Sequence, residues 1–187
     1  MIPIRNKRKT LEVTVEEMRN FAFTYVEKYA PSKQQLKTYL LKKYLKTSVS
    51  NVKKQDIIDL IDIVLSDLEK NKFINDKFYS ESKAKSMIQR GNSINKIRSY
   101  LIGKGIKDNF IKETVNKIQD ENSDQDFFSA IKICKKKRIG PARTEDNRTI
   151  FYKKDISLLA RNGFDFETSK KVMDLEKDDY IRIVKLL

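Results

Sequence analysis

The chain is 187 residues long and carries 40 Lys and Arg against 26 Asp and Glu, for a formal net charge of +14, with no histidine and one cysteine. That length allows one ordinary domain or several small helical modules that must pack together to bury a sizeable core. The missing histidines exclude every histidine-based triad, and with Cys134 alone neither an internal disulfide nor the usual zinc cluster can be built.

Apolar residues make up 39% and charged residues 35%, a balance that suits a helix-rich globular protein with much solvated surface. No run approaches the roughly 18 to 20 apolar residues of a membrane span, and "MIPIRNKRK" lacks the apolar core of a secretory signal. A cytoplasmic protein without a cofactor is expected.

Residues 1–9 form a basic N-terminal arm with no acid. Val15, Met18, Ala22, Tyr25 and Tyr29 then recur at helical spacing, as do Ile57, Ile61, Val64 and Leu68, so each segment presents one stripe to a core. Pro31-Ser32 ends one helix and caps the next, Asn75-Asp76 caps a helix running to about Gln89, and Gly91-Asn92-Ser93 breaks and recaps. Residues 139–150, "IGPARTEDNRTI", read as a loop. No segment sustains strand alternation, which predicts an all-α fold.

Gly103-Lys104-Gly105 raises the question of a phosphate loop. Such a loop needs a longer glycine frame ending in Gly-Lys-Ser/Thr, between a buried strand and a helix, and none is present. Cys134, within "AIKICKKKR", has lysines nearby that would lower its pKa but no adjacent base, and it reads as a buried structural cysteine. The carboxylate pairs Asp59/Asp62 and Asp178/Asp179 lie on charged helices and read as solvated or ion-paired faces rather than a metal-dependent nuclease site.

Charge is unevenly distributed. Residues 10–74 are close to neutral, whereas Lys77 to Lys107 hold Lys77, Lys83, Lys85, Arg90, Lys96, Arg98, Lys104 and Lys107 against Glu81 alone. A second cluster comprises Lys132, Lys135, Lys136, Lys137, Arg138 and Arg143. Fields of this kind attract polyanions, with binding that weakens steeply as salt rises.

An internal repeat organises these features. "SKQQLKTYLLKK" from Ser32 and "SINKIRSYLIGK" from Ser93 match in type at Ser32/Ser93, Leu36/Ile97, Lys37/Arg98, Tyr39/Tyr100, Leu40/Leu101, Leu41/Ile102 and Lys43/Lys104. A looser third copy, "ISLLARNGFDF" from Ile156, puts Leu159, Gly163 and Phe164 where the second has Leu101, Gly105 and Ile106. Both glycines then follow the last turn of a helix and close it in the left-handed conformation, with the next apolar residue packing back. The layout expected is helical repeat 1 over 10–72, repeat 2 over 73–122 and repeat 3 over 123–187 with the 139–150 loop. Three-helix units of about 60 residues are marginal alone, so three such repeats should stack into an elongated, curved array.

At these residues the chain resembles the RecX family, bacterial regulators of the RecA recombinase. In that pattern a Gly/Asn-x-aromatic-aliphatic-Asp/Asn-Asp turn leads into Phe-Ala, and a serine-started helix then ends in Lys-Gly-Ile. Asn71, Phe73, Ile74, Asn75, Asp76, Phe78, Ser93, Ile97, Leu101, Lys104, Gly105 and Ile106 occupy those places, and "KKKRIGPAR" and "LLARNGFDFETSKKVM" continue the match. The repeat and the lack of strand periodicity lead us to expect a monomer, and the resemblance implies a non-enzymatic protein that binds the RecA nucleoprotein filament, and single-stranded DNA directly or through RecA. It would restrain filament growth, ATP hydrolysis and strand exchange, and so regulate recombination, DNA repair and the SOS response.

The candidate contact residues are Lys83, Lys85, Arg90, Lys96, Arg98 and Lys104 in the central block, with Lys135, Lys136, Lys137, Arg138 and Arg143 as an accessory patch. On a wheel of about 100° per residue, Arg98 falls within the arc of Ile97, Leu101 and Ile102, as Lys37 does in the first repeat. Either its head pairs with a carboxylate of the following helix, with the stem along apolar surface, or it meets phosphate or an acidic RecA surface. The alternative function is a sequence-tolerant DNA-binding regulator, using Asn95, Arg98 and Ser99 on one helix as a reader.

Overall fold

A computed structural model describes residues 11–46 and 52–187, and the basic arm expected over 1–9 lies outside the described residues. Among the described residues there are ten α-helices, one short 3-10 turn and no strand. The fold is all-α, as the periodicity predicts. It forms two compact units, one ending at Tyr79 and one spanning Ser80–Leu187.

In the first unit, α1 (Val15–Tyr29), α2 (Lys33–Lys46) and α3 (Lys54–Lys70) pack around Met18, Ala22, Leu36, Leu40, Tyr44, Ile57, Ile61, Val64, Leu65, Leu68 and Ile74. The predicted stripe of α3 is buried in full, and each such Ile, Val or Leu contributes about 1.5–3 kcal/mol by leaving water. The ends are set by local chemistry. Thr14 Oγ1 accepts the Glu17 N–H at 3.2 Å, and Ser32 forms a reciprocal box with Gln35, each side chain accepting the other's backbone N–H at 3.2 Å.

The helix α4 (Asp76–Gln89) starts where the sequence places it, with Asn75 Oδ1 accepting the Phe78 N–H at 3.0 Å and Asp76 Oδ1 accepting the Lys33 N–H at 2.8 Å. One detail of the resemblance shifts. Phe78 is exposed, and the buried aromatic–small pair is Tyr79–Ser80. Ser80 and Ala84 share the buried stripe of α4, and Phe78 lies about 200° round the helix from Ser80. The Phe-Ala step of the family pattern therefore falls one residue later.

The second unit continues with α5 (Ile94–Gly103), α6 (Asp108–Glu121), α7 (Gln125–Lys137), α8 (Glu145–Arg161), α9 (Phe166–Met173) and α10 (Lys177–Leu186). Gly105 answers the phosphate-loop question: at φ 71° its N–H bonds Ile102 O, Ile106 N–H bonds Leu101 O at 3.1 Å, and buried Ile106 packs back. It is a helix stop.

A recurring turn relates three helix triplets. A left-handed residue, one spacer and a capping residue separate the first and second helices at Ala30-Pro31-Ser32, Gly91-Asn92-Ser93 and Gly163-Phe164-Asp165. The third triplet is thus α8–α9–α10. Gly163 corresponds to Gly91 rather than to Gly105, and α7 is additional to the triplets. The loop expected over 139–150 is shorter than the sequence suggested. Gly140–Ala142 form the 3-10 turn, and α8 begins at Glu145, where Glu145 and Asp146 complement the positive end of the helix.

Candidate polyanion-binding surface

All eleven candidate cations lie in the second unit. Lys85, Arg90 and Arg98 are exposed, while Lys83 on α4 is half-buried and engaged with the protein. Exposed Lys96 donates from Nζ to Asn162 Oδ1 at 3.0 Å, and half-buried Lys104 caps α5 with its ammonium 5.2 Å from the Tyr100 ring centroid. The lone acid of the block is withdrawn from it, since Glu81 pairs with Lys117 on α6 at 3.6 Å.

The two readings of Arg98 are separated by its counterpart in the first unit. Lys37 pairs with Asp62 of α3 at 2.6 Å. Ile57, Ile61 and Val64 of α3 correspond to Ile111, Val115 and Ile118 of α6, which places Asn116 where α3 has Asp62. An amide stands in for the carboxylate, and among the described residues Arg98 has no ion-pair partner. Its charge is left for solvent or for a ligand.

The N-terminus of α5 is the hub of this unit. Ser93 Oγ accepts the Lys96 N–H at 3.2 Å and donates to Asn162 O at 2.8 Å, while Asp126 of α7 accepts the Ile94 N–H at 2.8 Å. A Cβ added to Gly163 would lie 2.5 Å from Ser93 Oγ, and one added to Gly91 would lie 3.0 Å from the Cβ of Lys132. These close approaches bring the Arg90 turn, Lys96 and α7 together. Burial raises the pKa of Asp126; the Ile94 N–H opposes that rise and the charge of Asp165 adds to it.

Lys135, Lys136 and Lys137 are exposed on the last turn of α7, and exposed Arg138 closes the helix at φ 55°, its N–H bonded to Cys134 O. Arg143 is placed differently from the other candidates. Its Nε and a terminal nitrogen donate to the two oxygens of Asp155 at 2.6 and 2.9 Å, and its guanidinium carbon sits 4.5 Å from the Phe151 ring centroid. Asp155 is 1% exposed and also accepts the Gly140 N–H at 2.8 Å. Burial would raise the pKa of Asp155, but the Arg143 and Gly140 hydrogen bonds and the Arg143 charge outweigh it and hold the carboxyl below its usual range. Arg143 locks the turn between α7 and α8, and its planar edge is already occupied. Cys134 is fully buried, and burial together with the Asp155 charge pushes its thiol up to about 12; it stays protonated, the structural role its sequence setting suggested.

Among the described residues no group of three or more His, Cys, Asp or Glu side chains could hold a metal ion, and no helix is long and apolar enough to cross a membrane. Fold and charge together define an all-helical protein with an excess of exposed cations in its second unit. No family model matches the chain. It is similar to the regulatory protein RecX of Myxococcus xanthus (strain DK1622), 30% identical over 177 residues that cover 91% of each chain. It is also 35% identical over 128 residues to the regulatory protein RecX of Lactococcus lactis subsp. cremoris (strain MG1363), covering 65% of this chain and 45% of that one. Two crystal structures share the fold. One, of regulatory protein RecX, superposes with a TM-score of 0.62 at 18% identity, covering 86% of this chain and 74% of that one. The other, of RecX from Lactobacillus salivarius, gives 0.60 at 19% identity, covering 92% and 97%. The chain belongs to the RecX family of regulatory proteins.

Proposed function

We propose that the chain is a modulator of RecA that binds the RecA nucleoprotein filament and restrains its growth, its ATP hydrolysis and strand exchange, and through these regulates recombination, DNA repair and the SOS response in the cytoplasm. Family membership supports the regulatory role. The single observation that carries the contact is the run from Lys77 to Lys107, where eight basic groups accompany one carboxylate that is itself turned to Lys117. A filament of nucleic acid and protein offers a continuous negative surface to such a face, and association is steered by charge. Lys85, Arg90 and Arg98 are the principal contacts on this reading, with Lys135, Lys136, Lys137 and Arg138 as the accessory patch. The direct test is RecA ATP hydrolysis on single-stranded DNA. Substoichiometric protein should slow it, and unchanged hydrolysis at equimolar protein with normal filament assembly would remove the reading.

A further inference from the structure

Three phenylalanine rings of the first unit are exposed. Phe73 is 53% exposed, and Phe23 of α1, 36% exposed, meets it edge-on with ring centroids 4.9 Å apart and an interplanar angle of 90°. Phe78, 69% exposed, stands on the first turn of α4. Isolated exposed apolar side chains are ordinary, whereas adjoining exposed rings such as Phe23 and Phe73, with Phe78 five residues along the same turn, mark a contact site.

The helix stop that carries Phe73 differs from two other left-handed stops in the chain. At the ends of α5 and α8 the left-handed residue is Gly105 or Gly163, and the next residue, Ile106 or Phe164, is buried. At the end of α3 the left-handed residue is Lys72, φ 62°, and the next is exposed Phe73, while buried Ile74 takes the packing role. The backbone is nevertheless fixed, with Lys72 N–H bonded to Glu69 O at 3.0 Å and Phe73 N–H to Leu68 O at 2.9 Å. A side chain in that conformation is strained where glycine would not be. The turn thus holds a cation and an aromatic ring outward, where the stops after α5 and α8 carry a glycine and a buried apolar side chain.

The surrounding charge selects the ligand. Lys70 and Lys72 are exposed and have no ion-pair partner among the described residues. The neighbouring carboxylates are engaged, Asp67 with Arg19 at 2.9 Å and Glu69 with Lys33 at 2.5 Å. Exposed rings interleaved with unneutralised lysines match a ligand that carries both flat π faces and phosphates. A duplex hides its base faces, and an apolar protein surface has no use for the lysines. We infer that the α3–α4 turn is a stacking platform for single-stranded nucleic acid, with Phe73 and Phe78 taking bases and Lys70 and Lys72 taking phosphates. This rests on the polyanion half of the reading above, adds a second surface to it, and does not depend on RecA.

The chain has no tryptophan, so Phe73→Trp in the full chain is a single fluorescent reporter, titrated with oligo(dT) in the absence of RecA. Oligo(dT) should quench it, and an abasic oligonucleotide of equal length should not. Phe73→Leu with Phe78→Leu keeps apolar bulk and should lower oligo(dT) affinity about tenfold or more, leaving abasic binding unchanged. Lys72→Gly should leave thermal stability equal or higher, yet weaken binding and reduce the slope of log affinity against log salt by about 0.7. Equal quenching by abasic oligonucleotide, full oligo(dT) affinity in the folded double-leucine variant, or a protein-concentration-dependent emission change without DNA that marks a self-association face would each overturn the assignment. RecA ATP hydrolysis, measured separately, tests the RecA reading.

Discussion

Arg143 shows how one side chain can look like part of a binding patch and serve the fold. Truncating it leaves Asp155 buried and charged, so Arg143→Ala should cost about 3 kcal/mol or more in urea unfolding. Arg143→Lys should fall between, because an ammonium cannot reproduce the two-pronged pairing. The pH dependence has a definite sign. The Asp155 carboxyl is lowered from 3.8 in the folded state, so its contribution is present above about 3.8 and is lost as pH falls through the folded value. The stability difference between the wild type and Asp155→Asn should therefore hold steady near neutrality and shrink below that point. None of this was legible in the sequence, where Arg143 follows a run of cations and its partner lies 12 residues on, past an expected loop that hid the start of α8. The buried state of Cys134, by contrast, could be read from the lack of any base beside it.

Caps and stops were the most legible features at the scale of elements, because they are decided by chemistry within four residues. Ser32, Asn75, Ser93 and Gly105 act where the sequence placed them. What escaped were features set by tertiary neighbours: the extra helix α7, the register of the third triplet, and the exchange of Phe78 for Tyr79 on the buried stripe of α4. Gly163 illustrates the difference. It combines φ 88° with a contact to Ser93 Oγ, whereas Gly103 ends α5 with open space around its Cβ position. Gly163→Ala should lose about 1–3 kcal/mol, and Gly103→Ala should gain up to about 1 kcal/mol, both by thermal unfolding. The reverse order would mean that the turn does not dock on α5. A third substitution uses the equivalence of α3 and α6. Asn116→Asp supplies the carboxylate that Lys37 has and Arg98 lacks; it should leave stability within about 0.5 kcal/mol while weakening polyanion binding.

For the whole molecule, the excess of charge was plain in the sequence, but which cations are free was not. The structure spends Arg143 on Asp155, ties Lys96 to Asn162 and lays Lys104 beside Tyr100, leaving Lys85, Arg90 and Arg98 exposed. Exposed charges contribute little to folding, so reversing those three to glutamate separates regulation from stability. The decisive measurement is RecA ATP hydrolysis on single-stranded DNA, titrated with the wild-type chain and with Lys85→Glu/Arg90→Glu/Arg98→Glu of matched helicity and melting temperature. The wild type should slow hydrolysis below stoichiometric amounts and the triple variant should require at least tenfold more protein for the same effect. Equal inhibition by the two proteins would contradict the claim that this cationic face engages the filament.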